Sequence, residues 1–261
     1  MKLACQEGMV PGSTLAEKVA RLEDWGYQGI EIWGSNLRER VAEIKQALKG
    51  RKVKFGSICA GYRGCLLDPN PAERNQAMSG IKELLTLGGE FGVVGVIVVP
   101  IFGGPRLPDA SPLFDAREFE RKLFLEQLKE MAETAEKARC AVLVEPLNRY
   151  ETHWINRLEQ AVGLVRRIGS DYVKIMADFF HMSIEEADIA ASIKKAGKYV
   201  AHVHLADSNR VLPGMGHTDF ETGFAALKEI GFKGFMALEC GVPGDAQTLL
   251  PKTAQHLRRF I

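Results

Sequence analysis

The sequence lacks the features by which a secreted or membrane-bound protein is recognised. Its 261 residues include five cysteines, an odd number with no Cys-x-x-Cys pair, which argues against a disulfide framework and a zinc ribbon. No apolar run reaches the roughly 18 residues of a membrane span, and the first residues lack the apolar core of a signal peptide. We therefore expect a soluble, cytoplasmic protein with no membrane partner.

An excess of charge of one sign is also absent. The chain has 34 Lys plus Arg against 33 Asp plus Glu, so its formal net charge is +1 and no global field attracts nucleic acid. The first histidine is His153, so the first half of the chain offers no imidazole ligand. With 46% hydrophobic and 26% charged residues, the composition is that of a globular enzyme. The expected partner is a small molecule.

A strand-helix pattern that recurs about eight times dominates what is present. Division of the chain into eight units gives about 33 residues each, close to the average of TIM barrels. The strand predicted over residues 93–99 is apolar throughout, as a strand buried on both faces requires. After a sixth strand over 172–177, the next helix is predicted over 185–197. The alternation also permits an open doubly wound sheet, but the period favours a single-domain α/β structure over residues 1–261, a (β/α)8 TIM barrel.

Each of the last four predicted strands ends its apolar run on a residue of a type that binds metal ions. These residues are Glu145, Asp178, His204 and Glu239, at intervals of 33, 26 and 35 residues. In a barrel, the carboxyl ends of neighbouring strands meet at one rim, where active sites of this fold are built. Three carboxylates and one imidazole suit Mn²⁺ or Mg²⁺, with Co²⁺ as an alternative. The competing interpretation of any single residue is a polar strand end with local hydrogen bonds.

A second histidine, His202, shares a face of the same strand with His204, because residues two apart in a strand point the same way. His202 lies one layer deeper in the predicted barrel. We interpret it as a hydrogen-bonded core residue and not as a metal ligand.

Several motifs in the second half of the chain resemble the sugar isomerase/epimerase superfamily of xylose isomerase-like TIM barrels. They are Glu145-Pro-Leu-Asn-Arg-Tyr-Glu151, Ala177-Asp-Phe-Phe-His-Met182, His202-Val-His-Leu-Ala-Asp-Ser-Asn-Arg210, Pro213-Gly-Met-Gly-His217 and Ala237-Leu-Glu239. Within the superfamily, they are most similar to ketose 3-epimerases of the D-tagatose 3-epimerase group. The match covers roughly residues 140–240. Two stretches depart from the family pattern: Asp178-Phe-Phe-His181, which includes Phe180, where Asp-Thr-Phe-His is more frequent, and His217, where Arg is common.

The resemblance implies a metal-dependent isomerase that inverts C3 of a ketose through a cis-enediolate. It implies a Mn²⁺-type ion, a sugar substrate, and a homo-oligomer, either a dimer or a tetramer. It assigns the metal ligands Glu145, Asp178, His204 and Glu239, the acid/base pair Glu145 and Glu239, and the substrate contacts Glu151, His181 and Arg210.

The residues themselves leave alternatives open. Glu145 and Glu239 follow strands three apart, so they can reach opposite faces of a planar intermediate, which favours epimerisation. An aldose-ketose or hydroxypyruvate-type isomerase could use the same metal site. Arg210 could instead form a rim salt bridge, His181 could orient a ligand, and Glu151 could be a solvated loop carboxylate.

Two further functions are disfavoured. A DNA-repair nuclease of the endonuclease-IV type needs additional His, Asp and Glu ligands and a basic groove, but the predicted ends of strands one to four show no histidine and the net charge is close to zero. A sugar-binding protein without turnover has no need of both candidate bases. Because Asp245 occupies the start of a predicted helix near the barrel rim, we expect a free rather than a phosphorylated ketose.

Overall fold

Eight parallel strands close into a barrel in this protein, of which a computed structural model describes residues 1–113 and 115–261. Each strand pairs with the next along the chain, and the eighth pairs with the first, which excludes the open sheet. The strands are β1 (Lys2–Gln6), β2 (Gly29–Trp33), β3 (Lys54–Cys59), β4 (Gly95–Val98), β5 (Ala141–Val144), β6 (Val173–Asp178), β7 (Val200–Leu205) and β8 (Phe235–Leu238).

Helices surround the barrel, and the predicted (β/α)8 fold is confirmed. Within the described residues they are α1 (Leu15–Asp24), α2 (Val41–Leu48), α3 (Pro71–Phe91), α4 (Ala116–Ala138), α5 (Leu158–Ile168), α6 (Phe179–Glu185), α7 (Ile189–Ala196), α8 (Phe220–Glu229) and α9 (Ala246–Leu257). None of these helices combines the length and apolar character needed to cross a membrane.

One helix was not predicted. The short α6 begins directly after β6, because the Asp178 carboxylate accepts the backbone N–H of Phe180 at 2.7 Å and caps it. Asp188 caps α7 by accepting the N–H of Ala191, so α7 begins at Ile189. The helix predicted over 185–197 therefore starts too early.

The lower end of the barrel interior, at the amino ends of the strands, is filled by the ring of Phe235. A Cβ on Gly29 would lie 2.6 Å from Phe235 Cδ1, and one on Gly56 would lie 3.1 Å from its Cγ, so both positions need glycine for the ring to fit. Other apolar side chains of the interior form one cluster: Cys59, Ile97, Ala141, Leu143 and Met176.

The upper interior is polar. Among its fully or almost fully buried side chains are Gln6, Glu31, Ser57, His202 and His204. Buried polar groups of this kind are stable only when hydrogen-bonded. The barrel therefore places a polar layer directly beneath the rim at the carboxyl ends of the strands.

Candidate metal centre and active site

Four predicted metal ligands come together at the carboxyl end of the barrel. Glu145 directly follows β5, Asp178 ends β6, His204 lies in β7, and Glu239 directly follows β8. Asp178 and His204 are partners in the register of β6 and β7. The four side chains meet because the carboxyl ends of β5 to β8 lie side by side at the same rim of the barrel.

Distances from His204 Nδ1 define the centre of this group. The atom lies 3.2 Å from Glu239 Oε2, 3.7 Å from Glu145 Oε1 and 3.9 Å from Asp178 Oδ2. Ligand atoms of Glu145, Asp178 and His204 all lie within 4.8 Å of one another. These three residues are buried, and the Glu239 side chain is 18% exposed.

Two orphaned atoms test whether a metal ion fits. Among the described residues, Asp178 Oδ2 and His204 Nδ1 are buried polar atoms without a hydrogen-bond partner. Leaving such an atom unsatisfied costs about 1–3 kcal/mol. A divalent cation between them would satisfy both, and three carboxylates with one imidazole are donors that Mn²⁺ or Mg²⁺ accepts. The residues present therefore fit a divalent metal ion.

The pKa values of the two predicted acid/base carboxyls move in opposite directions. Burial raises the pKa of Glu145 well above its usual value against the opposing influence of His204, and the nearby Glu239 and Asp178 carboxylates raise it further. Burial also raises the pKa of Glu239, but His204 and Arg210 outweigh it, so this pKa is lowered. Carboxyl pairs with divergent pKa values are suited to separate roles as acid and base.

Glu31, which the sequence analysis did not single out, lies beneath His204. Its oxygens lie 2.9 and 3.1 Å from His204 Nε2, and it also accepts hydrogen bonds from Ser57 Oγ at 2.7 Å and His202 Nε2 at 2.8 Å. Burial raises the pKa of Glu31, but the two imidazoles outweigh it and hold the pKa well below its usual value. His202 is the hydrogen-bonded core residue that was predicted. Cys59 Sγ lies close enough to Glu31 and His204 for these three residues to be considered as a second set of metal ligands. Glu31 and His204 are already hydrogen-bonded to each other, which argues against that set.

Arg210 connects the predicted substrate residues with the predicted ligands. Its guanidinium donates to Glu151 Oε1 at 2.7 Å and to Glu239 Oε2 at 3.3 Å, and it lies 4.6 Å from the centre of the Phe180 ring. The latter contact is a cation–π interaction. The salt bridge to Glu151 is the rim contact that the sequence analysis left open, but the contact with Glu239 also ties Arg210 to the metal centre.

The loop after β7 holds Arg210 in a left-handed backbone conformation, with φ of 55°. Asp207 organises this loop, because its carboxylate accepts the backbone N–H groups of Ser208 at 2.8 Å, Gly214 at 2.8 Å and Thr218 at 3.0 Å. Such conformations persist only where the surroundings determine them.

His181 is fixed as a hydrogen-bond donor. The backbone N–H of Asn148 donates to His181 Nδ1 at 3.2 Å, and the Asn148 side-chain amide lies 2.8 Å from the same atom. Nδ1 is therefore an acceptor, and the proton belongs on Nε2, 3.4 Å from Asp178 Oδ2. Burial lowers the pKa of His181, which keeps the ring neutral. Asn148 also donates to Glu151 Oε1 at 2.9 Å; sequence reasoning missed its role, although it lies within the motif that begins at Glu145.

The chain is similar to known sugar epimerases. The chain is similar to 3-dehydro-D-guloside 4-epimerase from Escherichia coli strain K12, with 30% identity over 243 residues, which cover 92% of each chain. It is also similar to D-psicose 3-epimerase from Ruminiclostridium cellulolyticum, with 36% identity over 236 residues that cover 85% of this chain and 76% of that one. The crystal structure of 3-keto-D-glucoside 4-epimerase from E. coli superposes with a TM-score of 0.89 and 28% identity over 99% of each chain.

A match to one protein family covers the barrel as a whole. Residues 19–260 match the model of the xylose isomerase-like TIM barrel. That match spans almost the entire chain, from α1 through the end of α9. This protein therefore belongs to the xylose isomerase-like TIM barrel family.

Proposed function

We propose that this protein is a metal-dependent sugar epimerase that inverts C3 of a ketose. The curated relatives named above are sugar epimerases, and each reaction inverts a carbon of a sugar. The observation that carries the proposal is the position of Glu145 and Glu239, which bring carboxylate oxygens to 3.7 and 3.2 Å from the same imidazole nitrogen.

The proposed ligands of the metal are Glu145, Asp178, His204 and Glu239, and Mn²⁺ is the ion that suits them best. A bound divalent ion supplies positive charge for the oxyanion that develops on the sugar, a contribution worth several kcal/mol. The side chains around it have the tasks of binding the substrate and moving the proton.

Proton transfer is assigned to the two glutamates. A hydrogen on carbon next to a carbonyl is removed to give a planar enediolate, and inversion requires that the proton return to the opposite face. Glu145 follows β5 and Glu239 follows β8, three strands further round the barrel, so they approach the sugar from different sides.

Substrate binding is assigned to Glu151, His181 and Arg210. The Nε2–H of His181 is available as a donor to a sugar oxygen, since Asn148 occupies Nδ1. Arg210 offers a second donor, and Glu151 accepts from a hydroxyl while it orients Arg210.

A second candidate reaction is inversion at C4 of a 3-keto glycoside. Coverage favours it: the E. coli 4-epimerase matches over 92% of both chains, whereas the D-psicose 3-epimerase extends beyond the match. The chemistry is the same, because C4 of such a sugar is also next to a carbonyl. An aldose-ketose isomerase on this site is the remaining alternative, and its product distinguishes it.

The test follows solvent deuterium into sugars by NMR. The protein is incubated in D₂O with Mn²⁺, and in parallel with EDTA, together with free ketoses, ketose phosphates and 3-keto-D-glucose glycosides. Deuterium at C3 with formation of the C3 epimer is the expected result. Deuterium at C4 of the keto glycoside would establish the second candidate, and formation of an aldose would establish an isomerase. Absence of exchange in protein that holds metal would refute all three.

Variants of the two glutamates sharpen this test. Glu145→Gln and Glu239→Gln should each abolish inversion, while the remaining carboxylate still exchanges the proton of one epimer. Glu221→Gln, an exposed carboxylate on α8, is the matched control and should leave the rate unchanged. Metal content is measured for every variant, so that loss of the ion is not mistaken for loss of a base.

Two further proposals concern assembly and location. We propose a homo-oligomer, a dimer or tetramer, on the strength of the family resemblance; sedimentation of a monomer at micromolar concentration would contradict it. We also propose a cytoplasmic location, which the five free thiols support. Fractionation of cells that express the protein tests the location.

A further inference from the structure

Glu31 is a fully buried carboxylate at the centre of the polar layer beneath the metal centre. It lies in β2, in register with Gln6 of β1 and Ser57 of β3. Gln6 Nε2 and Ser57 Oγ donate to it at 3.1 and 2.7 Å, and the imidazoles of His202 and His204 complete its partners. Both carboxylate oxygens are therefore satisfied, which a buried charge requires.

The contact with His204 determines which of its nitrogens faces the metal centre. A carboxylate only accepts hydrogen bonds, so His204 Nε2, at 2.9 and 3.1 Å from the Glu31 oxygens, carries the proton. The other nitrogen, Nδ1, is the atom without a hydrogen-bond partner and faces Glu145, Asp178 and Glu239. An imidazole held in this way presents its lone pair to a cation.

The same network reaches a second proposed ligand. Gln6 Nε2 donates to Glu31 Oε1 at 3.1 Å and to Glu239 Oε1 at 3.0 Å. One amide group thus bridges Glu31 and Glu239, and the other oxygen of Glu239 is the one near His204 Nδ1. Two of the four proposed ligands are therefore oriented from the β1–β2 side of the barrel.

We propose that Glu31 is a positioning residue that selects the metal-binding tautomer of His204 and, through Gln6, orients Glu239. The inference rests on the proposed metal site, but it gives roles to Glu31 and Gln6, which have none in that proposal. A carboxylate behind a metal-binding histidine fixes its ring and increases its basicity, and the loss of such a partner typically weakens metal affinity about 10- to 100-fold.

Glu31→Gln is the variant that tests the role. The amide has nearly the shape of the carboxylate, but one of its two polar groups is an N–H donor. This donor faces an imidazole N–H, which is also a donor, so the preference for a proton on His204 Nε2 is lost. Mn²⁺ affinity, measured by competition with a chelating dye, should fall by about 10- to 100-fold. The rise in Tm that saturating Mn²⁺ produces at a fixed concentration should shrink with it.

The chain offers a matched control in Glu120. This carboxylate is also fully buried and also bonds to an imidazole, His153 Nε2, at 2.6 Å, but it lies on α4 outside the barrel. Glu120→Gln makes the same chemical change and should lower the Tm without changing Mn²⁺ affinity. A direct readout on the unmodified protein is the ¹⁵N spectrum of its histidines with Mg²⁺ bound, in which His204 should be protonated on Nε2; its signal is assigned by its loss in His204→Gln.

The outcomes separate this inference from the proposed function. If the unmodified protein binds no divalent ion, the metal site itself is refuted, and the inference with it. If the protein binds Mn²⁺ and Glu31→Gln binds it equally well, or if both glutamine variants lose affinity to the same extent, Glu31 has only a structural role. A His204 proton on Nδ1 in the Mg²⁺-bound protein would overturn the inference even if Glu31→Gln does not fold.

Discussion

Asn148 provides the sharpest test of the substrate side of the site. Its side chain is 1% exposed and makes three contacts: the amide nitrogen with Glu151 Oε1 at 2.9 Å and with His181 Nδ1 at 2.8 Å, and the amide oxygen with the N–H of Tyr150 at 2.9 Å. Asn148→Ala removes all three. The backbone N–H of Asn148 still donates to His181, and Arg210 still donates to Glu151.

The expected losses of stability and activity follow from the contacts that Asn148→Ala removes and those that remain. With a net value of about 1 kcal/mol per hydrogen bond, the alanine variant should lose about 2–3 kcal/mol of unfolding free energy. At about 2–4 °C per kcal/mol, the Tm should fall by about 4–12 °C. The activity, as kcat/KM, should fall about 10-fold, since His181 and Glu151 each keep one partner and about 1.4 kcal/mol corresponds to a factor of ten.

Replacement by aspartate should be worse than replacement by alanine. Asn148→Asp places a second carboxylate about 3 Å from Glu151, and two like charges at such a distance repel by about 5–6 kcal/mol at an effective dielectric constant of 20. The new carboxylate can only accept a hydrogen bond, so it favours a proton on His181 Nδ1 and disrupts the tautomer that places the donor on Nε2. We expect kcat/KM to fall by more than about 100-fold.

The control for both variants is Asn156→Ala. Asn156 belongs to the same loop, and its amide donates to the backbone carbonyls of Leu147 at 2.9 Å and Thr152 at 3.0 Å. It should lower the Tm by a similar amount while kcat/KM changes little. Equal losses of kcat/KM in the Asn148 and Asn156 variants, or a more active aspartate than alanine variant, would refute the role assigned to Asn148.

Three other predictions concern the proposed metal ion, Phe180 on α6 and Gly29 at the lower end of the barrel interior. Removal of metal with EDTA should abolish turnover, and added Mn²⁺ at 100 times its Kd should restore it and raise stability by about 2.7 kcal/mol, which calorimetry measures; full activity with EDTA would contradict the metal site. Phe180→Thr removes the ring against Arg210 and, at about 0.5–2 kcal/mol for a cation–π contact, should raise KM roughly 2- to 30-fold with a smaller effect on kcat. Gly29→Ala directs a Cβ to 2.6 Å from Phe235 and should cost about 1–3 kcal/mol in thermal unfolding without a change in kcat/KM.

The fold was predictable because each strand of a parallel barrel is buried on both faces and therefore reads as an apolar run. The strand predicted over 93–99 contains β4, and the one predicted over 172–177 differs from β6 by a single residue at each end. The helix α6 was missed because its seven residues are too few for a visible helical period, and because Asp178 was considered only as a ligand and not as a cap.

The polar layer beneath the rim could not be predicted from local pattern. Glu31 sits in a strand of otherwise apolar residues, where alternation alone would also allow it to face solvent. Its pairing with Ser57 depends on an irregularity in register between Ile30 and Glu31, and its contact with His204 joins residues 173 positions apart across the closed barrel. Neither fact has a signature in a single strand, whereas a ligand-type residue at the end of an apolar run does.

The two halves of the barrel thus have different tasks. Strands β5 to β8 supply the side chains proposed to hold the metal, and β1 to β3 supply Gln6, Glu31 and Ser57, which hold two of those side chains in place. The two histidines at the rim illustrate the result: Glu31 leaves the lone pair of His204 Nδ1 directed into the site, while Asn148 leaves an N–H of His181 directed into it. In the proposed function, one imidazole binds the cation and the other donates to a sugar oxygen. Because each is set by a neighbour to which we assign no contact with metal or substrate, substitution of those neighbours should separate metal affinity from substrate binding, which substitution of the histidines themselves cannot do.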